Sequence, residues 1–371
     1  MTKVFVALSG GVDSSVALAL LHGEGYDVTG VYFKTYKPDT NEKASREYCK
    51  QQGLDAQAVC KHLQVPFKVY DLEAEYKQKV FDYMIAGYKR GVTPNPDMLC
   101  NKEIKFGVFA SKAFKDGADM IATGHHARVK KQQGKALLLM GVDESKDQSY
   151  FLSQISQDVL QKSLFPIGEY KKSKVRAIAE QYGLHTASKK DSQGICFIGQ
   201  EIDVKSFLKQ YIPEQQGAVL DVRGEIIGTH LGAKFSTIGE RHGFNISPEY
   251  QGTDMPRLFV IKRDVKENTL TVGTKSEFEK EQSNKKNIII TNCNWINCKP
   301  ESGKEYNSRI RHRGELYKCK LNDKNNINHG NRVTLQHSWE VVFKDAPYAP
   351  ASGQFIAVYD GEVCIGGGVI I

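Results

Sequence analysis

Several familiar signatures are missing from this chain. The phosphate loop GxxxxGK followed by Ser or Thr does not occur, and neither does GxGxxG. Kinase or GTPase chemistry on a lysine-bearing loop, and a Rossmann dinucleotide site, are therefore not expected. No two cysteines stand as CxxC, which argues against a zinc ribbon, and no metal site is expected. The eight cysteines are scattered, and a chain of this size reads as carrying reduced thiols rather than a disulfide framework. There is no run of roughly eighteen apolar residues, so no membrane span is expected. A single lysine and a short apolar stretch broken by Ser9-Gly10-Gly11 do not form a secretory leader, and a cytoplasmic location is expected. Internal repeats and long low-complexity tracts are absent.

What remains is ordinary globular material. With 371 residues, 40% hydrophobic and 25% charged, the chain is long enough for two or three domains. A net charge of +8 permits an acidic partner such as RNA without demanding one.

Two textures follow each other. Up to about residue 200, valine-rich strands alternate with helices: KVFVAL, then SSVALALLHGEGY; DVTGVYFK, then KASREYCKQQGLDAQAVCKHL; PFKVYDL, then AEYKQKVFDYMIAGYKRG; IKFGVFASKAFKDG, then ADMIATGHH. That alternation predicts an α/β fold with a parallel sheet covered on both faces. Beyond it, short runs between glycines (GAVLDVRGEIIGTH, RLFVIKRDVKENTLTVGT, VCIGGGVII) predict hairpins and a small antiparallel barrel or sandwich. We expect a catalytic domain over 1–205, a small central domain over 206–275 and a C-terminal β-barrel over 276–371. The polar stretch 276–287 reads as a linker or exposed loop.

The first motif is SGGVDSS, after the leading strand. Gly10 and Gly11 have no Cβ, so backbone can approach a phosphate closely. The next helix begins near Val12 to Ser14 and aims its free N–H groups and positive dipole end at the same place. Ser9, Ser14 and Ser15 add hydroxyls. Asp13 is out of character in an anion site and suggests a metal ion that offsets it.

Two further segments hold cysteines in unusual company. In TPNPDMLCNKEIKFG (93–107), Pro94 and Pro96 stiffen the chain, and Asn95, Asp97 and Asn101 are turn and cap types. Cys100 falls at a loop-to-helix junction, where a thiol tends toward a lowered pKa, with Lys102 and Lys105 assisting. In SKKDSQGICFIGQ (188–200), Cys196 follows a turn-rich DSQG. Taken singly, each cysteine reads first as a packed core residue.

SGGVDSS resembles the signature loop of the ATP pyrophosphatases, which cut ATP between its α and β phosphates. The whole set goes further. NPDMLCNKEIKF, KKDSQGICFIG, DAQAVC (55–60), ATGHHAR (122–128), KDQSYFLSQI (146–155), LFPIGE (164–169) and SGQFIAVYDGEVCIGGG (352–368) resemble, in order along nearly the whole chain, stretches of the tRNA-specific 2-thiouridylases. These bacterial enzymes thiolate the wobble uridine of certain tRNAs.

The resemblance implies a mechanism. ATP, with Mg2+, adenylates the C2 oxygen of the uracil; Cys196 carries a persulfide; Cys100 completes sulfur release through a transient disulfide with it; Asp97 contacts the target base and acts in proton transfer. It also implies that Ala7, Leu8, Ser9, Gly10, Gly11, Val12, Asp13 and Ser14 line the ATP site, with Phe33 and Gly124 flanking the adenine. Asn95, Pro96 and Asp97 would meet the target base, and His125, Lys146, Asp147, Gln148, Arg311, His312 and Gln354 would contact tRNA, by resemblance the tRNAs for Lys, Glu and Gln. A sulfur donor such as a cysteine desulfurase or relay carrier must load Cys196. Family members often have tyrosine where His126 and His312 stand, which bears on stacking or hydroxyl contacts there. The other six cysteines read as structural.

Cations for RNA phosphates are sought in Lys171, Lys172, Lys174 and Arg176, in Lys189 and Lys190, and in RIRHRG (309–314), whose arginines would share one strand face. Neutralising about six phosphates predicts a log–log salt slope of roughly −4 to −5. Two other readings stay open on residues alone. One is an adenylating ligase or amidotransferase acting on a small molecule; the other is a nucleotide-regulated RNA-binding protein without catalysis.

Overall fold

The computed structural model describes residues 1–36, 43–190, 204–250, 256–283, 285–324 and 338–371. Cys196 lies outside them. The N-terminal strands are β1 (Lys3–Leu8), β2 (Asp27–Lys34), β3 (Phe67–Asp71), β4 (Met120–Thr123), β5 (Ala127–Gln132), β6 (Lys135–Met140) and β7 (Ser163–Leu164). Five of them form a parallel sheet in the order β3-β2-β1-β4-β7. β1 is buried almost throughout, as its unbroken apolar run requires of a central strand covered on both faces.

Helix Val12–Gly23 is apolar nearly all round because it is enclosed: Val16 and Leu18 share a core with β1 residues and with Val175, Ile178 and Ala179 of helix Lys172–Gln181. On the other face, helix Pro96–Leu99 continues as a π-helical stretch, Cys100–Phe109, and ends as Ala110–Lys115. Met98, Ile104 and Phe109 point into the larger core.

The central strands are β8 (Gly217–Leu220), β9 (Ile226–His230), β10 (Phe244–Ile246), β11 (Phe259–Asp264) and β12 (Thr269–Gly273), in the order β10-β9-β8-β12-β11. Arg263 fastens this sheet to the N-terminal part by donating to the Gly91 carbonyl, 2.6 Å away. Next comes a helix, Lys275–Ser283, where a linker or loop was expected. The missed signal is a reciprocal cap: Thr274 N donates to Glu277 Oε2 at 2.8 Å and Glu277 N to Thr274 Oγ1 at 3.4 Å, and Phe278 then anchors the turn with 1% exposure.

The C-terminal strands are β13 (Asn287–Trp295), β14 (Glu305–Arg309), β15 (Tyr317–Asp323), β16 (Trp339–Phe343), β17 (Phe355–Asp360) and β18 (Val363–Ile370). They run β13-β16-β15-β14-β17-β18, and β13 pairs again with β18, closing a barrel. Hairpin β5–β6, from the N-terminal part, extends the same sheet: β6 pairs with β18, Val363 opposite Leu139 and Cys364 opposite Leu138. The sheet therefore joins residues 127–140 to the C-terminal third, a link that strand–helix alternation did not reveal.

Candidate active site

The sheet order places a topological switch point between β1 and β4, since the chain moves outward from β1 through β2 and β3 and then returns to the other side. In open α/β sheets ligands bind beyond the strand C-termini at that point. SGGVDSS follows β1 there, and Gly124 follows β4. The loop is tied by its own hydroxyls. Ser9 N donates to Ser14 Oγ (3.1 Å), Gly11 N to Ser9 Oγ (3.3 Å) and Ser15 Oγ to the Gly11 carbonyl (2.8 Å). Gly10 sits at φ +72°, and a Cβ there would stand 2.3 Å from the Gln52 carbonyl oxygen. A Cβ on Gly124 would stand 2.5 Å from Ser14 N, so the β4 end lies directly against the first turn of helix Val12–Gly23. Phe33, at the end of β2, packs on Phe109 with ring centres 4.6 Å apart.

Asp13 has partners of its own. Lys172 Nζ approaches its two carboxylate oxygens at 2.6 and 2.8 Å, and His126 Nε2 lies 3.4 Å away. Burial alone would raise the Asp13 pKa; the hydrogen bonding and charges of His126 and Lys172 outweigh it and hold the carboxyl below its usual range. The loop thus receives from helix Lys172–Gln181 the kind of lysine it lacks in its own sequence. Lys189 also reaches it, donating to the Gly10 carbonyl at 2.9 Å and pairing with Asp55 at 2.5 Å. Arg176 donates to the carbonyls of Ala187 and Lys189. These cations were expected on RNA phosphates. Lys172 and Lys189 meet protein partners at the loop, and Arg176 meets the chain beside it.

No group of three His, Cys, Asp or Glu side chains able to hold a metal occurs among the described residues. Magnesium would come with a triphosphate, held largely by phosphates and water, and Asp13, whose two oxygens pair with Lys172, would be the loop carboxylate turned toward it.

The second half of the site lies along the Pro96 helix. Asn95 caps it, its Oδ1 accepting from Met98 N at 3.1 Å, with Pro96 in the first turn, where proline is tolerated. Asp97 is one turn before Cys100. Burial raises the Asp97 carboxyl to about 6 against the pull of Lys105. Cys100 is 6% exposed and begins the π-helical stretch, an irregularity that recurs at functional sites. Expected at a loop-to-helix junction, it stands instead just past the first helical turn. The buried Thr93 Oγ1 and Asn101 Oδ1 have no partner among the described residues, leaving polar positions for a bound molecule. Burial pushes Cys60, Cys293 and Cys364 to about 12 and Cys319 to about 11, so these thiols stay protonated.

The remaining site residues are placed as follows. His125 is 6% exposed, its Nδ1 2.7 Å from Thr123 Oγ1, and burial drives its pKa well below the usual value. Gln148 clamps His126, exchanging backbone and side-chain bonds at 2.9 Å. Lys146 is half-buried beside it. Asp147 is fully enclosed, accepting from Gly141 N, Ser149 N, Ser149 Oγ and Arg309 Nη1. Gln354 bonds to Thr93 and Asn95.

The RIRHRG run does not form one basic strand face. β14 ends at Arg309, which turns inward to Asp147 at 2.7 Å, and the chain then bends, Arg313 adopting φ +58°. Arg311 is exposed, donating to the Ala349 carbonyl and lying over the Tyr348 ring. His312 packs on Phe151 at 4.4 Å, and burial lowers its pKa to about 4.

A parallel sheet with an anion loop at its switch point defines a nucleotide-binding protein of the HUP class. The family model described as "tRNA methyl transferase HUP domain" matches residues 2–200, and models described as "tRNA methyl transferase PRC-barrel domain" and "Aminomethyltransferase beta-barrel domain" match 205–274 and 285–370. The chain is 42% identical to the tRNA-specific 2-thiouridylase MnmA of Bacillus subtilis, covering 100% of this chain and 95% of that one. It is 41% identical to the enzyme of that name from Stutzerimonas stutzeri, over 100% and 94%, and 42% identical to that from Shigella dysenteriae, over 99% and 96%. The chain belongs to the tRNA-specific 2-thiouridylase family.

Proposed function

We propose that this protein is an ATP-dependent tRNA uridine 2-sulfurtransferase. The observation that carries the reading is that the same domain holds a glycine-serine loop at the switch point of its parallel sheet and a capped helix bearing a raised-pKa carboxyl and a cysteine one turn apart. Methyl transfer, which the family-model descriptions mention, has no use for such a loop.

The residues support the following sequence. The loop N–H groups and hydroxyls hold the departing β and γ phosphates of Mg-ATP. Phe33 and Gly124 border the adenine. Asn95, Pro96 and Asp97 receive the uracil, and its C2 oxygen attacks the α phosphorus as pyrophosphate leaves. A persulfide on Cys196 attacks C2 and displaces AMP, giving a C2–S–S link to the enzyme. The Cys100 thiolate then attacks the Cys196 sulfur. A Cys100–Cys196 disulfide forms, the bond to the transferred sulfur breaks, and its electron pair leaves 2-thiouridine. A thiol reductant restores the cysteines. With a pKa of about 6, Asp97 is suited to exchange a proton near neutral pH. The sulfur donor is a persulfide-bearing protein, and a reducing compartment suits the thiolates. No described helix is long and apolar enough to cross a membrane.

Product analysis tests this. ATP should yield AMP and pyrophosphate only with unmodified tRNA present, and Cys100→Ser and Cys196→Ser should each abolish thionucleoside while the protein stays folded. ATP cleavage that ignores tRNA would point to a small-molecule acceptor instead. Binding of tRNA with no AMP formed would point to a non-catalytic RNA-binding protein.

A further inference from the structure

The end of the C-terminal barrel grips the chain just ahead of the Pro96 helix. Thr93 N donates to the Ser352 carbonyl at 2.8 Å. Gly353 is at φ +90°, and a Cβ there would stand 3.0 Å from the Thr93 oxygen, so the two backbones meet as closely as they can. Gln354 then uses both ends of its amide. Nε2 donates to the Thr93 carbonyl at 3.1 Å, and Oε1 accepts from Asn95 Nδ2 at 3.2 Å. The other end of the Asn95 amide, Oδ1, accepts from Met98 N and is the helix cap. Gln354 itself is pinned to β18, its carbonyl accepting from Ile370 N at 2.8 Å. A chain of amide contacts therefore runs from barrel strand β18, through Gln354 and Asn95, to the first turn of the helix that carries Asp97 and Cys100.

We propose that Gln354 is a positioning residue for the thiolation reaction, setting through Asn95 the cap and placement of the helix that presents Asp97 and Cys100. The role rests on the sulfurtransferase reading and goes beyond a tRNA contact. Because Gln354 acts from the barrel, it also ties the seating of RNA on the C-terminal part to the geometry of the reacting groups. A misplacement of about 1 Å can cost on the order of 100-fold in rate.

The test compares wild type, Gln354→Ala, Asn95→Asp and their double variant by single-turnover thiolation at saturating tRNA, by tRNA Kd, and by hydrogen exchange. Asn95→Asp keeps a cap oxygen but removes the donor to Gln354. Gln354→Ala should lower the rate at saturating tRNA about 10-fold or more, a loss that weaker tRNA binding alone would not produce. Asn95→Asp should show a comparable loss, and the double variant should be no worse than the poorer single one. Gln354→Glu, which keeps the acceptor for Asn95 but loses the donor to the Thr93 carbonyl, should lose less rate than the alanine variant and serves if that variant fails to fold. Independently of catalysis, Gln354→Ala should speed exchange of the Met98 amide. The proposal is overturned if tRNA affinity falls while the rate holds, if the two losses multiply, or if Met98 keeps its protection. A wild-type protein that makes no thionucleoside overturns the sulfurtransferase reading instead, and the exchange measurement still decides the relay.

Discussion

Asp97 makes the clearest case for chemistry written into one side chain. Its folded pKa of about 6 lies above the unfolded value of 3.8. Between those values the folded state binds more protons than the unfolded state, so stability falls as pH rises from about 4 to about 6 and then levels off. Asp97→Asn removes that loss. The variant and the wild type should unfold alike at pH 4, and at pH 8 the variant should be more stable by roughly 2–3 kcal/mol, read from denaturant titrations at both values. A pH-independent difference would contradict the buried-carboxyl account. Lys172 is the second such residue. Without it Asp13 keeps, among the described residues, His126 at 3.4 Å. Lys172→Met should cut ATP cleavage by on the order of 100-fold while leaving tRNA Kd unchanged in filter binding. Weaker tRNA binding with normal cleavage would return Lys172 to an RNA-contact role.

At the level of elements, the parallel sheet was legible because β1 and β4 are apolar runs that stop at Ser9-Gly10 and Gly124, and such runs suit a strand covered on both faces. Helix Lys275–Ser283 was not legible from its polar composition. It rests on a local cap and one buried aromatic, Phe278, and a linker would share that composition. Thr274→Ala should therefore destabilise the protein by about 1 kcal/mol, measured as a shift in denaturant midpoint, with thiolation unaltered. Nor could sequence show that Lys172 and Lys189 face the loop. A basic cluster reads the same whether it lines an RNA groove or an anion loop, and only the path of the chain after the two-residue β7 distinguishes them.

For the whole molecule, the segment KDQSYFLSQ has a part that motif reading did not supply. Tyr150 Oη donates to the Phe355 carbonyl at 3.0 Å, Gln154 to the Gly367 carbonyl at 3.0 Å, and Ser149 meets Tyr359. Residues of the N-terminal domain and of the C-terminal barrel, Tyr150 and Leu152 with Phe355, Tyr359 and Cys364, share one core. The Asp147–Arg309 pair lies inside this junction, with side chains 1% and 9% exposed. Arg309→Met would leave Asp147 buried without its counter-charge, at a cost of about 3–5 kcal/mol, seen as a lower unfolding midpoint. A neutral result would mean that water reaches the carboxylate. The junction makes the barrel part of the catalytic unit, and the central claim is that this unit moves sulfur onto a tRNA uridine at the expense of ATP. The most direct measurement is nucleoside mass spectrometry of unmodified tRNA incubated with the protein, Mg-ATP and a persulfide-bearing donor protein. The account predicts 2-thiouridine that appears only when ATP is present; its absence, with the protein folded and tRNA bound, would contradict it.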